Sequence, residues 1–443
     1  MQNQGIRDAR SLGTPKLLVL GLQHMFAMFG ATVLVPALTG LSVSATLLFA
    51  GLGTLFFHFV TKGKVPAFLG SSFAYLAGYA AIAPNGEAAL LPYACVGVAA
   101  SGLLYLILAA LVRGFGANRV MRFFPPVVTG PIIICIGMTL ANSAINNCTG
   151  SWDIALVAIL TVVIFNIWGK GMLRIIPILL GVLVSYVYAA VTGRVDFSGV
   201  ASAAWIGLPV KMENTVFSLI GNCDANLLVT AIIAIMPIAF ATMIEHIGDV
   251  SAISSTTGKN FIEDPGLHRT LLGDGLATSI ASLFGAPANT TYGENTGVLA
   301  LTRVYDPLVI RLAAVYAIIA SFCPKFAALV SAMPTGTIGG VSLILYGMIS
   351  AIGVRNLVEN RVDLAKSRNV IVVSLIISLA LGITFSTAGA ITFHVGEFTL
   401  NFSGLAVAAI VGIVVNAILP GKDYNFQNDY EYGKTTEDHG QML

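Results

Sequence analysis

Charge is scarce in this sequence. Lys, Arg, Asp and Glu together make 10% of 443 residues, whereas a soluble chain covers its surface with roughly 25%. A water-facing surface of the size this length requires is therefore excluded. The net charge of +2 also leaves no basic excess with which to hold nucleic acid. Five cysteines, Cys95, Cys135, Cys148, Cys223 and Cys323, are scattered without a CxxC pair, so neither a zinc site nor a redox motif is indicated. The start, MQNQGIRDARSLGTPK, lacks the short apolar core and small-residue cleavage site of a signal peptide. The first apolar run is thus expected to remain as a membrane span. What the chain has instead is 56% hydrophobic residues and a mean hydropathy of +0.86, the composition of a protein whose surface faces lipid.

A span needs about 20 mostly apolar residues. Long runs lie near 16–38, 43–61, 89–112, 125–141, 153–169, 173–192, 226–249, 270–284, 307–332, 335–353, 369–386 and 402–420. Two further stretches, near 66–82 and 288–303, are short and broken by Gly, Pro, Ser and Thr, which brings the count to 14 crossings. An even count puts both termini on one side. With that side cytoplasmic, only Arg194, Lys211 and Lys325 of the 23 basic residues face outward, as the bias of Lys and Arg toward inner loops requires. Cys148 and Cys223 then share the outer side, where a disulfide between them is open. The tail from Lys422 onward, KDYNFQNDYEYGKTTEDHGQML, is polar, expected to be disordered, and carries no readable function.

Fourteen spans divide into seven plus seven, and an odd number per half inverts the second half relative to the first. The broken stretches are then the third and tenth spans, at equivalent places. FFPPVVTGPIIICIGM (123–138) in the fifth span is loosely echoed by MPTGTIGGVSLILYGM (333–348) in the twelfth. The expected fold class is an all-α polytopic membrane protein of two inverted seven-span repeats, with short extended stretches in spans 3 and 10.

Those stretches read VPAFLGSSFAYLAGY (65–79) and GAPANTTYGENTGV (285–298). Gly and Pro break helices, and Ser, Thr and Asn cap them, so each reads as extended backbone followed by a half-helix. Such backbone is tolerated in a bilayer only inside protein or beside a cavity. Its free N–H groups and the positive end of the half-helix suit a solute's oxygens. Phe73 falls at one such N-terminus; Tyr292 and Gly293 fall at the other.

Most of the 21 acids lie in loops or the tail. Glu245 and Asp249, however, sit four apart in IMPIAFATMIEHIGDV (235–250), on one helix face. Glu294 lies at the break of the tenth span, and Asp274 is expected near the inner end of the ninth, partly wet. A charge at membrane depth costs about 2.5–3.5 kcal/mol on insertion scales. Without matching buried bases, such acids need protons, ions or substrate hydrogen bonds. His24 and His246 are single imidazoles, read first as structural. EHIGD does not make a metalloprotease helix: Glu245 and Asp249 share a face from which His246 points about 100° away, and no second His or Cys cluster accompanies it. No metal, cofactor or nucleophile is indicated. A channel would need a continuous polar pore, for which the spans hold too few polar residues.

LQHMFAMFGATVLVP (22–36), KGKVPAFLGSSFAY (62–75), EHIGD (245–249), DPGLHR (264–269) and NTTYGENTGVLALTRVY (289–305) together resemble the nucleobase/ascorbate transporter family, most of all its bacterial uracil permeases. The similarity runs from about residue 15 to 420. It implies a core domain at 15–113 (spans 1–4) and 226–333 (spans 8–11). It implies a gate domain at 119–193 (spans 5–7) and 334–420 (spans 12–14), with 421–443 as a cytoplasmic tail. It further implies proton-coupled uptake across the bacterial cytoplasmic membrane and a homodimer formed through the gate.

Carried over position by position, the family's substrate carboxylates match Glu245 and Glu294, and its backbone donors match Phe73 and Gly293. Its pocket walls match Ala31, Phe73, Tyr292 and Tyr346, and His24 matches a supporting position in the first span. Asp249, Glu294, His24 and Asp274 are the expected proton-coupling groups. Asp249 stands where some uracil carriers have His. Purine carriers of the family also tend to have Asp there, and often at Asp274, but usually Gln at the place of Glu294. Uracil is therefore the favoured substrate. The alternatives are a xanthine or purine permease and an anion transporter of related fold. Sodium suits the same carboxylates and unwound carbonyls.

Overall fold

The computed structural model describes residues 5–395 and 398–422, without the side chains of Ala31, Met172, Ile175, Glu294, His394, Val395, Phe398, Thr399 and Leu400. The tail from 423 onward lies outside the described residues. Each apolar run is helical: α1 (Thr14–Thr39), α2 (Val43–Val60), α3 (Leu76–Ile82), α4 (Leu91–Phe115), α5 (Pro126–Cys148), α6 (Trp152–Trp168) and α7 (Pro177–Val191) in the first half. The second half supplies α8 (Ala225–Thr257), α9 (Leu267–Leu283), α10 (Gly293–Thr302), α11 (Pro307–Ser321), α12 (Thr335–Glu359), α13 (Ser367–Thr384) and α14 (Gly404–Ile418). Among the described residues, seven helices are long and apolar enough to cross a membrane: α1, α2, α4, α5, α8, α12 and α13. Exposed apolar side chains such as Phe59, Ile107, Trp168, Val187 and Ile319 face outward, where hydrocarbon rather than water satisfies them.

Local chemistry explains the departures from straight helices. Pro237 interrupts α8 with a 3₁₀ turn at Met236–Ile238, because a proline lacks the N–H that the ladder needs. Ser101 Oγ donates to the Met236 carbonyl there, at 3.4 Å. The apolar run 307–332, expected as one span, bends by 88° after α11 into a short helix, Pro324–Ser331. The residue before a proline is pushed out of the α region, and Cys323 is extended, with φ −110° and ψ 91°.

Two corrections concern segments between helices. The α5 helix continues to Cys148, which is buried, whereas Cys223 is exposed, and both thiols are free. The disulfide left open by the sequence is absent. Between α13 and α14 a hairpin forms from β3 (Ala390–Val395) and β4 (Phe398–Ser403), paired antiparallel. The alternation in AITFHV was its signal, passed over because the surrounding runs read as helices.

Two packing groups emerge. In one, α2 packs on α11 and α4 on α9, with α1 against α11 and α8 against α4. In the other, α5 packs on α12, α6 on α7 and α13 on α14. The α5–α12 contact joins the two echoed segments through small residues. A Cβ at Gly137 would lie 2.2 Å from the Tyr346 carbonyl oxygen, and one at Gly353 would lie 2.7 Å from the Gly130 carbonyl oxygen. Lipid tails are as apolar as leucine, so close backbone approach, rather than hydrophobic burial, holds such helices together. Ser350 Oγ adds a bond to the Ile134 carbonyl at 3.0 Å.

Gly137→Val is expected to force α5 and α12 apart, at a cost of at least 1–3 kcal/mol, the typical range for overpacking. The apparent melting temperature of detergent-solubilised protein falls accordingly; an unchanged value contradicts the packing described.

Candidate functional site

Both broken stretches fold as their sequences suggest, and they find each other. Leu69–Ser71 forms β1 and Asn289–Thr291 forms β2, all buried and paired antiparallel, with Gly70 opposite Thr290. Ser72 N–H donates to the Ala288 carbonyl at 2.9 Å, and Tyr292 N–H to the Phe68 carbonyl at 3.0 Å. Neighbouring helices pin the strands through threonines. Thr54 of α2 donates to the Leu69 carbonyl and accepts from its N–H, at 3.2 and 2.9 Å. Thr278 of α9 donates to the Asn289 carbonyl. Gly70 allows the crossing, since a Cβ there would lie 2.6 Å from the Tyr292 ring.

Each strand leads into a helix start. Phe73 opens a 3₁₀ turn (Phe73–Tyr75) that continues into α3. Gly293 is the first residue of α10, with Tyr292 as its N-cap. The first N–H groups of a helix have no partner within it, so both openings are anion-tolerant donors. Gly293 is exposed, and a Cβ on it would lie 3.5 Å from Asp249 Oδ1. The face of α8 carrying Glu245 and Asp249, both half-buried, therefore stands beside the start of α10.

The structure brings most of the remaining expected residues to this region. Phe73 and Tyr346 meet edge to face, with ring centroids 5.7 Å apart, a favourable aromatic geometry. That contact links β1's exit to α12 of the other packing group. Tyr292, 4% exposed, donates from its hydroxyl to the Ser71 carbonyl at 2.7 Å. Thr32 Oγ1 lies 3.4 Å from the same hydroxyl. His24 is fully buried in α1, with Nδ1 3.2 Å from Asn295 Nδ2 and its carbonyl accepting from the same amide. It thus braces α10 one residue beyond Glu294. The side chains of Ala31 and Glu294 lie outside the described residues; their backbones belong to α1 and α10.

Asp274 corrects its expectation. It is not at a wet inner end but fully buried in α9, 3.3 Å from His246 Nδ1 and 3.5 Å from Thr290 Oγ1. His246, read from sequence as structural, and Thr291, not singled out at all, are the residues that connect it to the site. Thr291 Oγ1 donates to Asp249 Oδ2 at 2.9 Å and lies 3.3 Å from His246 Nδ1. The only sequence signal was position: His246 beside Glu245, and Thr291 two residues before Gly293. Among the described residues no group of His, Cys, Asp and Glu is placed to hold a metal ion.

Tyr292→Phe removes the hydrogen bond to the Ser71 carbonyl in the buried crossing. A typical intramolecular hydrogen bond contributes about 0.5–1.5 kcal/mol. The expected outcome is a lower apparent melting temperature with the secondary structure retained by circular dichroism; a wild-type melting temperature removes this bond from the crossing's support.

The comparisons with known proteins agree with this architecture. A sequence model of the Permease family matches residues 15–389. The uracil permease of Bacillus caldolyticus is 42% identical over 437 residues, covering 96% of each chain. That of Bacillus subtilis (strain 168) is 40% identical over 453 residues, covering 99% of this chain and 98% of its own. The putative pyrimidine permease RutG of Escherichia coli (strain K12) is 38% identical over 417 residues, covering 91% of this chain and 89% of its own. In fold, the chain is similar to the transmembrane domain of the cyanobacterial bicarbonate transporter BicA. That match has TM-score 0.59 at 13% identity, over 94% of this chain and all of that one. It is also similar to murine Slc26a9, with TM-score 0.62 at 12% identity over 91% of this chain and 67% of that one. With identity sustained over nearly its whole length, the chain is an integral membrane protein of the Permease family, the nucleobase/ascorbate transporters that its motifs resemble.

Proposed function

We propose that this protein imports uracil across the bacterial cytoplasmic membrane by proton symport. The observation that carries the reading is the crossing of β1 and β2, which sets the helix start at Gly293 beside the acidic face of α8 and brings the turn opened by Phe73 to the same helix through Tyr75 and Thr242. Uracil presents two ring N–H donors and two carbonyl acceptors. Glu245 and Glu294 accept from the N–H groups, and the backbone N–H groups of Phe73 and Gly293 donate to the carbonyls. Phe73, Tyr292, Tyr346 and Ala31 wall the planar ring. A ligand lacking one polar group strands a buried partner, which gives strong discrimination; cytosine, with an amine in place of a carbonyl, is rejected. The uracil permeases among the relatives support the substrate. The acidic face speaks against an anion as cargo, since carboxylates repel it.

Movement is proposed to occur between a core (spans 1–4 and 8–11) and a gate (spans 5–7 and 12–14), in fourteen crossings with both termini cytoplasmic. The packing pattern supports two inverted repeats, because contacts recur when helices seven apart are exchanged. Thus α2–α11 corresponds to α9–α4, α6–α12 to α13–α5, and α1–α7 to α8–α14. Thr54 on β1 and Thr278 on β2 correspond in the same way. A homodimer through the gate belongs to the same proposal.

In the transport step a proton from outside neutralises one member of the Glu245, Asp249 and Glu294 group. The uracil site then forms, and the core moves against the gate. At a membrane potential of about 150 mV one proton supplies about 3.5 kcal/mol, enough for roughly 300-fold accumulation.

In detergent, uracil is expected to raise the melting temperature, while xanthine and sulfate leave it at the buffer value; stabilisation by sulfate alone would turn the reading to an anion carrier. Glu294→Gln is expected to abolish the uracil shift or to transfer it to xanthine, and unchanged uracil affinity removes Glu294 from the site. In proteoliposomes without sodium, an inward pH gradient is expected to drive accumulation. Uptake indifferent to both pH gradient and membrane potential sinks proton symport.

A further inference from the structure

We infer that His246 passes the coupling proton between Asp249 at the substrate face and Asp274 in the protein interior, with the Thr291 hydroxyl as the intermediate carrier. The inference rests on the proton-coupled reading above and extends it to two residues outside the substrate site. The geometry is a chain of short contacts. Thr291 Oγ1 is 2.9 Å from Asp249 Oδ2 and 3.3 Å from His246 Nδ1, which is 3.3 Å from Asp274 Oδ2. Asp249 is half-buried, whereas the side chains of His246 and Asp274 are 0% exposed. The contacts therefore run from the half-buried face of α8 into the buried interior.

One nitrogen serves both directions. His246 Nδ1 faces the hydroxyl and the carboxylate alike, so it can take a proton from one and give it to the other without turning its ring. The ring is held between Phe57 and Tyr105, edge to face, with centroids 6.3 and 6.4 Å away. Asp274 Oδ1 and His246 Nε2 have no hydrogen-bond partner among the described residues, so the network is open rather than closed by packing. An ionised carboxylate buried this deeply is stable only beside a positive charge or a proton. The titratable neighbours are Glu245 on the same helix and, near both Glu245 and Asp274, Tyr75 and Tyr105.

The step balances without a co-reactant. Protonated Asp249 gives its proton to Thr291 Oγ1 as the Thr291 hydroxyl proton moves to the lone pair of His246 Nδ1. The new Nδ1–H bond then breaks as the Asp274 Oδ2–H bond forms. Asp249 is left a carboxylate, Thr291 and His246 are restored, and Asp274 is a neutral acid. The reverse sequence returns the proton to the substrate face after the core has moved.

The test compares wild type, His246→Gln, Thr291→Val and Thr291→Ser in proteoliposomes, by uracil–uracil exchange without a gradient and by accumulation under an imposed pH gradient. His246→Gln and Thr291→Val are expected to keep exchange and lose gradient-driven accumulation, a fall of up to about 300-fold. Thr291→Ser, which keeps a hydroxyl, retains accumulation. The pH dependence of exchange should flatten in His246→Gln, an effect that a purely structural histidine would not produce. Accumulation by His246→Gln equal to wild type overturns the relay. Should that variant fail to fold, equal accumulation by Thr291→Val and Thr291→Ser overturns it as well. Wild-type protein that exchanges no uracil overturns the substrate reading, and the relay with it.

Discussion

Two stretches of unwound backbone meet in the middle of this protein, and the rest of the molecule is organised around pairing them. Within a bilayer each N–H and C=O must find a partner inside the protein, because hydrocarbon offers none. An isolated extended segment would leave several unmet, each costing on the order of a few kcal/mol. Here β1 and β2 satisfy one another, and the flanking bonds from Ser72 to Ala288 and from Tyr292 to Phe68 extend the pairing past both ends. Thr54, Thr278 and Asn289 fasten the ladder to α2, α9 and the Phe49 carbonyl. The crossing thus ties the two halves together in the finished structure.

That constraint also decides which backbone groups are left without a partner in their own ladder. Backbone unwinds only where it is shielded, and unwinding creates two helix starts whose first N–H groups point away from their own ladders. The start of α10 lies beside Asp249 of α8, and Tyr75, in the turn that Phe73 opens, meets Thr242 of α8. The helices that enclose the crossing form a tightly bonded group, whereas α5 and α12 pack through glycine and small residues with few polar ties. The Phe73–Tyr346 ring contact joins the two groups.

Much of this was legible in order along the chain. Hydropathy marked the apolar helices. Gly and Pro flagged the third and tenth as broken. Helical periodicity alone put Glu245 and Asp249 on a common face. The reading failed where the decisive neighbour is far away in sequence. Asp274 looked like a residue at a wet helix end because its local sequence, LLGDGLATS, is rich in small and polar residues. Those glycines turned out to serve close packing: a Cβ at Gly275 would lie 2.3 Å from Tyr105. Cys148 was assigned to a loop because Asn146 and Asn147 lower hydropathy, yet α5 runs on through them against Gly339.

The sequence by itself determined that the chain lives in lipid, roughly where its apolar helices lie, and that Glu245 and Asp249 share a helix face, because these follow from short-range hydropathy and periodicity. Only the tertiary structure decided what each buried polar group touches. His246 joins Asp274 of α9 and Thr291 of β2, and Tyr292 closes on Ser71, 221 residues earlier. Hydrogen bonds reach about 3 Å and depend on direction, so no pattern read along one helix specifies a partner on another. The residues that surround the acids became identifiable only from the way the two halves cross.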